Sequence, residues 1–517
     1  KYGIWASTWA MGPARVGRKL RAGCGVQTFY IHCISVSTGL HYIGQLRENS
    51  LCKIIMDQIT EGQLQFEGVV IGSREKSRKY TIYSGKSSFL MIPNLILFSQ
   101  LYNFQNKIHL FFLRSQPGRH ILVMLKLIPQ WVTLFLLNSG IAKLCSSIFH
   151  LVATNVTAVA DRVTSNKDLH IIFCYHIYGV PPNHSSCVIN ALLLHHYKRG
   201  AYYPKGGASE IPFHMIKVIQ KFGGRVLVRA PVNRILVDNN GAAYGERHCE
   251  KGQEDVEMRA PVIISNCGVF TTFQELLPSH IQTKPKIQKR LNMMRPGRGC
   301  LLVFSGFDAT KEELGVNSSN TWLFKSNDMD AMMDEYFSMG KDEAPDNVPM
   351  IHFTFPSAED PTSKICHPGK SCMTILIVVI YEWFEEWKDT PVRKQLDYYL
   401  QDAYKMRFAN NVFDWACSLC PKLRDKLVYQ EVSTPLHSAE QNLERFQAKA
   451  LARNRCDTPV KNLFISGITS PFYINGKLHP DIYIYIYIYI YIYIYIYIYI
   501  YIYIYYILQH AVTDLAM

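Results

Sequence analysis

The sequence predicts an α/β protein in which a β-meander interrupts a parallel β-sheet. A helix is expected to begin near Ser209, and Gly223-Gly224 is typical of a helix C-terminus, where positive φ is often needed. Asp238-Asn-Asn-Gly241 is a hairpin-turn signal between two short apolar segments. The apolar segment Val262–Ser265 then returns the chain to a buried strand. This order is typical of folds whose meander crosses over before the chain re-enters a parallel sheet.

The strands around this turn are predicted from their content of β-branched and aliphatic residues. Strands are expected at Arg225–Arg229, Val232–Val237, Ala243–His248 and Val256–Met258. All are short, and turn-forming residues separate them, as the strands of a meander require.

Composition limits the class of protein. The chain has 517 residues, of which 48% are hydrophobic and 19% charged, which is a globular or membrane-associated balance. The length suits two intertwined domains. The formal net charge is +14, but the basic residues are scattered. This pattern fits attraction to anionic lipid headgroups better than nucleic-acid binding, which we do not expect.

The 14 cysteines are irregularly spaced and do not form the disulfide framework of a small secreted protein. Cys417-Ser-Leu-Cys420 has the spacing of a redox motif. A short helix that ends before Pro421 is the favoured interpretation, because no second pair of metal ligands lies near it in sequence. No metal site is predicted.

Residues 88–152 are strongly apolar and poor in acidic side chains. Within them, residues 119–137 are interrupted by Lys126 and Pro129, whereas a spanning helix needs about 20 apolar residues without such breaks. Two interpretations stay equally open. One is an element lying on or dipping into the bilayer, with Trp131 near the interface. The other is a buried pair of core helices.

Residues 482–505 are an unbroken alternation of Ile and Tyr. Strict period two predicts a strand with one face all Ile and the other all Tyr. The tract is uncharged and lacks proline, so it is prone to aggregate. A dinucleotide repeat translated as protein would give this pattern, and we expect no function for it.

A dinucleotide-binding domain begins with a strand, a Gly-x-Gly-x-x-Gly loop and a helix whose N-terminus receives the pyrophosphate. The segment Arg21-Ala-Gly-Cys-Gly25 has only two spaced glycines, and Gly297-Arg-Gly299 is no better. We therefore expect the chain to lack this unit, and to be incomplete at both ends.

Two Gly-containing loops are candidates for contact with a ligand. In Tyr202–Glu210, Pro204 fixes the entry and Gly206-Gly207 permits close backbone approach. Ser209 and Glu210 are expected to open the next helix as N-cap and first-turn acid, so that its N-terminus could stabilise an anionic group. An ordinary cap between a loop and a helix, without a ligand, would have the same sequence pattern. Thr38–Gly44 is either backbone lining a cofactor or substrate tunnel, or a simple turn.

These stretches together resemble the phytoene desaturase and carotenoid isomerase family of FAD-dependent oxidoreductases. The resemblance is closest to the animal branch that saturates the 13,14 double bond of all-trans-retinol. It is continuous from about residue 171 to 400 and patchy before that. The segments that carry it are Thr38–Gly44, Asp57–Leu64, Tyr83-Ser-Gly85, Tyr178–His184, Ala201–Gly224, Arg295-Pro-Gly297, Phe355–Ala358, Tyr381–Trp387 and Asn462–Gly467.

The resemblance implies a Rossmann-like FAD-binding domain, incomplete here, with a β-meander and an interleaved α+β substrate domain. The implied boundaries are a remnant of the N-terminal FAD-binding region at 1–87, an apolar helical substrate- or membrane-associating region at 88–200, the FAD-domain helix and meander at 201–290, the substrate domain at 291–440, and the return to the FAD domain at 441–467.

The implied activity is a two-electron reduction, in which hydride from N5 of reduced FAD and a proton saturate the polyene. The flavin carries the chemistry and the protein supplies an apolar tunnel, so no catalytic residue is assigned. NAD or NADP is expected as an electron source, and the endoplasmic reticulum membrane as the location. The alternatives are a carotenoid isomerase or desaturase of the same fold, and a non-catalytic, membrane-associated lipid-binding remnant.

The resemblance also implies the cofactor contacts. Val232 corresponds to the position that holds the adenine through its backbone, and Asn266 follows a strand end near the cofactor. Gly467 ends the last strand of the FAD domain. The full set of expected cofactor-binding residues is Gly39, His41, Gly206, Gly207, Val232, Asn266 and Gly467.

Overall fold

The computed structural model describes part of the chain. The described residues are 5–6, 27–31, 34–38, 42–69, 81–84, 154–174, 181–185, 200–292 apart from 228–229, 231 and 249–255, then 298–387, 395–435 and 458–465, with a few single positions between 132 and 197.

The strands of the described residues are numbered β1 to β17 in chain order. They are β1 Trp5–Ala6, β2 Gln27–Ile31, β3 Ile34–Thr38, β4 Ile43–Gly44, β5 Phe66–Val69, β6 Thr81–Ser84, β7 Ala201–Pro204, β8 Val232–Val237, β9 Ala243–His248, β10 Val256–Arg259, β11 Ile263–Ser265, β12 Gly299–Phe307, β13 Thr321–Phe324, β14 Met350–Thr354, β15 Ser371–Val379, β16 Leu427–Ser433 and β17 Leu463–Ile465.

The α-helices of the same residues are numbered α1 to α11. They are α1 Leu51–Thr60, α2 Val156–Asp161, α3 Lys167–Cys174, α4 Glu210–Lys221, α5 Ser279–Gln282, α6 Pro285–Leu291, α7 Lys311–Leu314, α8 Met329–Ser338, α9 Pro356–Glu359, α10 Ser363–Cys366 and α11 Gln395–Leu419. A π-helix spans Thr271–Leu276, and short 3₁₀ helices lie at Ala344–Asp346, Tyr381–Trp383, Glu385–Trp387 and Pro421–Lys426.

A parallel sheet joins the first and last described strands of the chain. β11 lies between β1 and β17 and pairs with both in parallel. Such pairing needs long crossover connections, and here these contain most of the protein. The α/β class predicted from the sequence is confirmed.

The antiparallel meander β8–β9–β10 is confirmed, with strands close to the predicted ones. In its turn, the Ala242 N–H donates to Asp238 Oδ1 at 2.8 Å, and Gly241 has a φ of +75°. The strand expected at Arg225–Arg229 is wrong where it can be checked, because the described residues 225–227 belong to no strand. These residues follow the end of α4 and precede β8 in the chain.

A second, six-stranded sheet has the order β16-β12-β15-β14-β13-β6. One of its faces is filled by α11, whose buried Phe408, Val412 and Phe413 join Leu301 and Ile375 in the largest core cluster. α11 spans 25 residues and ends at Leu419. The predicted end before Pro421 is therefore confirmed, but the helix is long, whereas a short one was expected.

The two cysteines at that helix end are free. Burial raises the pKa of the Cys417 thiol to about 11 and also raises the pKa of Cys420. Neither thiol favours the thiolate that redox chemistry requires, which agrees with the structural interpretation of this pair.

A third sheet, β4-β7-β5, carries the loop that leads into α4. α4 packs against α1 over a small core that includes Met56, Ala208 and Ile211. The predicted helix bounds are confirmed, and Gly223 has a φ of +77° just after the helix.

Most of the apolar region 88–152 and the whole Ile-Tyr tract at 482–505 lie outside the described residues. Among the helices that are described, none combines the length and apolar character needed to span a bilayer.

Candidate functional site

The parallel sheet brings three strand ends to one edge. Ala6, Ser265 and Ile465 lie side by side in register at the carboxyl ends of β1, β11 and β17. Ligands of open α/β sheets bind outside this edge. The predicted contact Asn266 follows β11 directly and is partly exposed. Gly467, two positions after β17, lies outside the described residues.

The segment after β11 is held in a tight bend. Gly268 has a φ of +85°, which a residue with a side chain rarely adopts. The hydroxyls of Ser265 and Thr272 are 2.7 Å apart and buried, and the Thr272 hydroxyl donates to the Gly268 carbonyl. These bonds tie the strand end to the π-helix that begins at Thr271, so the backbone around Asn266 is fixed relative to the sheet.

Val232 lies at the start of β8 and packs on the same core as the parallel sheet. That core contains Ile263 of β11 together with Leu463 and Ile465 of β17. The structure therefore places Val232 on the domain that carries the strand-edge site. Its predicted contact with an adenine stays a prediction.

The Gly206-Gly207 loop has the backbone conformation that glycine permits. Both residues have a φ of +91°, and Gly207 is buried while Gly206 is exposed. The Gly207 N–H donates to the Pro204 carbonyl at 3.1 Å, which closes the turn. The Gly206 N–H donates to Asp360 Oδ1 at 3.2 Å, so the loop is bonded to the segment after α9.

Ser209 does not cap α4 with its side chain, contrary to the prediction. Its φ of −65° and ψ of −19° are already helical, so its hydroxyl does not make the expected bond to the first turn. Glu210 is the first-turn acid as predicted, and its Oε2 lies 3.2 Å from His214 Nε2.

α9 joins this loop to the six-stranded sheet. The Cys372 N–H of β15 donates to Ser357 Oγ of α9 at 2.9 Å, and Asp360, which holds Gly206, follows α9 directly. β3 lies beside both β15 and α9. The loop that begins after β3 carries the predicted residues Gly39 and His41, which lie outside the described residues. β3, the strand that precedes this loop, nevertheless lies at the same junction of α9 with β15.

The face of the six-stranded sheet opposite α11 continues from this junction. We call its central part the sheet wall, and it consists of Leu302, Phe304, Thr354, Thr374, Leu376 and Tyr429. Thr374 faces Phe304 on one neighbouring strand and Thr354 on the other. Three of the six wall side chains are apolar and three carry a hydroxyl. Ligand pockets likewise combine apolar surface with a small number of polar groups.

The residues of the sheet wall were not predicted from the sequence. A weak signal exists, because Thr374 is the polar residue in the middle of the apolar run of β15. At the edge of the wall, burial raises the pKa of the Glu431 carboxyl, while Lys405 lowers it. Glu431 is paired with Phe304 in the sheet register.

The hydroxyls of Thr354 and Thr374 are buried and find no hydrogen-bond partner among the residues that the structure describes. A buried hydroxyl without a partner costs about 1–3 kcal/mol. The double substitution Thr354→Val/Thr374→Val should therefore stabilise the fold in chemical denaturation, by about 1–3 kcal/mol for each hydroxyl removed.

The matched control for that prediction is Thr272→Val. The Thr272 hydroxyl is equally buried but bonded to Ser265 and Gly268, so its removal should destabilise the fold. A double valine variant less stable than the parent would show that the two wall hydroxyls form hydrogen bonds in solution.

No protein-family model matches this chain. It is 44% identical to the "Inactive all-trans-retinol 13,14-reductase" of Danio rerio, over 90% of this chain and 80% of that protein. It is 37% identical to the "All-trans-retinol 13,14-reductase" of Danio rerio, over 90% and 81%. Identity to the Homo sapiens protein of that name is 33%, over 86% and 76%.

Among solved structures, an oxidoreductase from Methanosarcina mazei matches with a TM-score of 0.50 and 14% identity, covering 88% of this chain and 89% of that one. A putrescine oxidase bound to putrescine matches with a TM-score of 0.50 and 12% identity, covering 89% and 88%. At these identities the likeness concerns the fold.

Proposed function

This chain belongs to the all-trans-retinol 13,14-reductase family of oxidoreductases, and from that membership we propose that it saturates the 13,14 double bond of all-trans-retinol with FAD as cofactor. The observation that carries the proposal is the junction of the Gly206-Gly207 loop with the sheet wall. That junction joins a loop of cofactor-binding type to an apolar surface suited to a polyene.

The described residues supply part of a dinucleotide site, although the sequence has no Gly-x-Gly-x-x-Gly loop to receive the pyrophosphate. Three parallel strands end at one edge, and the partly exposed Asn266 follows the middle strand there. The buried Gly207 has a φ of +91° and no side chain to hold a ligand away from the loop. When bound, FAD would supply the two-electron reduction of the polyene.

The protein's own residues would position the substrate and keep water away from it. Leu302, Phe304 and Leu376 give the wall an apolar surface along which a polyene chain can lie. The bond from Gly206 to Asp360 holds the loop against α9, and the bond from Cys372 to Ser357 holds α9 against β15. The distance between the cofactor loop and the wall is thereby fixed, as orientation of a hydride donor requires.

A second candidate function is a retinoid-binding protein without reductase activity. It is favoured by one observation: identity is 44% to the relative named inactive and 37% to the relative named as the reductase in the same organism. The two candidates share the fold and differ in whether bound retinol is converted.

The test is made on the purified chain mixed with FAD. Retention of the yellow flavin through gel filtration, followed by formation of 13,14-dihydroretinol from retinol, is the expected result. A chain that binds retinol but stays colourless would overturn the reductase proposal in favour of the second candidate. Conversion of a carotene in place of retinol would instead indicate an isomerase or desaturase.

The electron source and the location are also proposals. NAD or NADP as electron source predicts that NADH or NADPH bleaches the bound flavin, and absence of bleaching with both would refute it. Placement at the endoplasmic reticulum membrane is supported by the apolar, basic composition, and microscopy of the tagged full chain with an organelle marker tests it.

A further inference from the structure

Thr354 and Thr374 place two hydroxyls side by side on the sheet wall. The two residues are directly opposite each other in the antiparallel register of β14 and β15, and the Cβ atoms of such a pair lie about 4.5–5.5 Å apart. Their neighbours Phe353 and Ile375 belong to the core against α11, so the alternation of side chains along each strand directs both threonines to the opposite face. Thr354 is 0% exposed and Thr374 1%. The two hydroxyls are therefore neighbours in the interior of the protein.

Both hydroxyls are available to a ligand. Neither has a hydrogen-bond partner within the described part of the chain. A hydroxyl that is removed from water without a partner destabilises the free protein. Because folded proteins pair nearly all of their buried polar side chains, two adjacent exceptions indicate a polar group that comes from outside the chain.

The chemistry of the pair selects a neutral end group that forms hydrogen bonds. Each threonine hydroxyl both donates and accepts, so an alcohol placed between the two accepts from one and donates to the other. A hydrocarbon end can do neither. A carboxylate is disfavoured, because the six wall residues include no lysine or arginine to balance a buried negative charge. With the apolar Phe304 opposite Thr374 in the register, the wall matches an elongated apolar molecule that ends in a hydroxyl.

The pair lies close to the junction with the Gly206-Gly207 loop. Cys372, whose N–H donates to Ser357 of α9, precedes Thr374 by two residues on β15, which is about 7 Å along a strand. α9 is followed by Asp360, which accepts from an N–H of the loop. An end group bound by the two hydroxyls therefore lies at the end of the wall that is nearest the loop.

We propose that Thr354 and Thr374 bind the hydroxyl of the substrate alcohol and thereby hold its 13,14 double bond at this junction. The inference deepens the proposed function and rests on it. In all-trans-retinol the carbon that carries the hydroxyl is bonded directly to C14. Anchoring the hydroxyl therefore fixes the position of the 13,14 double bond, while the other double bonds lie farther from the anchor along the polyene. The two threonines determine which double bond is presented for reduction.

Ligand affinity, measured on the full chain with oxidised FAD, tests the pair without turnover. Quenching of tryptophan fluorescence gives the Kd of all-trans-retinol and of the hydrocarbon in which hydrogen replaces its hydroxyl. The affinity ratio of retinol to hydrocarbon should be about tenfold lower in Thr354→Val/Thr374→Val than in the parent, because valine keeps the shape and removes both hydrogen bonds. Thr354→Ser/Thr374→Ser, which keeps both hydroxyls, should retain the parent's ratio.

Ser371→Ala is the matched control. Ser371 is also buried on β15, but its hydroxyl donates to the Ala309 carbonyl at 2.7 Å. It is three residues from Thr374 and so lies on the other face of the sheet. Removal of its hydroxyl should leave the affinity ratio of the two ligands at the parent's value.

A double valine variant that keeps the parent's ratio would overturn the proposal and would indicate that the two hydroxyls bind water instead. A double serine variant that loses the ratio, or a parent that does not bind retinol, would overturn it as well. A parent that shows the expected ratios but leaves retinol unreduced would refute the proposed function and leave the binding role of the two threonines intact.

Discussion

Substitution of Gly207 by valine should weaken flavin binding by about 10- to 100-fold and reduce retinol reduction accordingly. Gly207 is buried at a φ of +91°, where a β-branched residue is strained by about 1–3 kcal/mol. Relief of that strain moves the loop away from the backbone position that a cofactor approaches, and each 1.4 kcal/mol of lost binding is about tenfold. Flavin titration followed by absorbance measures the effect.

Gly315→Val separates this effect from a general loss of stability. Gly315 ends α7 with a φ of +71° and open space around its Cα, so valine there carries similar backbone strain far from the loop. It should bind flavin as the parent does. Equal flavin affinity in the two valine variants would show that the Gly206-Gly207 loop does not contact the cofactor.

Truncation of Phe408 to alanine should destabilise the fold by about 3–5 kcal/mol, which is the usual cost of removing a buried phenylalanine. Phe408 is fully buried on α11. Its ring centre lies 5.4 Å from that of Tyr404, 6.1 Å from Phe384 and 6.4 Å from Trp383. Two of these rings belong to the Tyr381–Trp387 segment, so the substitution removes part of the aromatic contact between this segment and α11.

Chemical denaturation measures the loss of stability caused by Phe408→Ala, and Phe222→Ala is the control. Phe222 is 55% exposed, so the same chemical change there should alter stability by no more than about 0.5 kcal/mol. A Phe408→Ala chain as stable as the control would mean that the aromatic cluster is not part of the folded core.

The sequence predicted the elements whose signals are local. The meander was predicted because the residue pattern of Asp238 to Gly241 is typical of a hairpin turn and of few other structures. The end of α4 was found because Gly223 supplies positive φ. The strand expected at Arg225–Arg229 is wrong where it can be checked. A segment rich in Val and Leu forms a strand only where another strand is available to pair with it.

The six-stranded sheet could not be predicted in the same way. β12 and β15 are buried on nearly every residue, so they lack the alternation that identifies a strand with one exposed face. β6 pairs with β13, which is distant in sequence, and no local pattern encodes that partnership. The sheet wall, formed by side chains of β12, β14, β15 and β16, was missed because the first three of these strands are buried almost throughout.

The candidate site was predicted in part. Gly206, Gly207, Val232 and Asn266 lie on the loop, meander and strand end where the family resemblance implied them. The contact of Gly206 with Asp360 was not predicted, because it joins segments that only the folded chain brings together. The roles of all seven predicted residues (Gly39, His41, Gly206, Gly207, Val232, Asn266 and Gly467) as cofactor contacts stay predictions.

Anaerobic single-turnover reduction tests the proposed reaction most directly. The chain is loaded with FAD, the flavin is reduced chemically, and all-trans-retinol is added in excess. We predict that flavin absorbance returns as 13,14-dihydroretinol forms, with one product molecule per flavin. Retinol that binds beside the reduced flavin and is recovered unchanged, while the flavin stays reduced, would contradict the assignment of this chain as a retinol reductase.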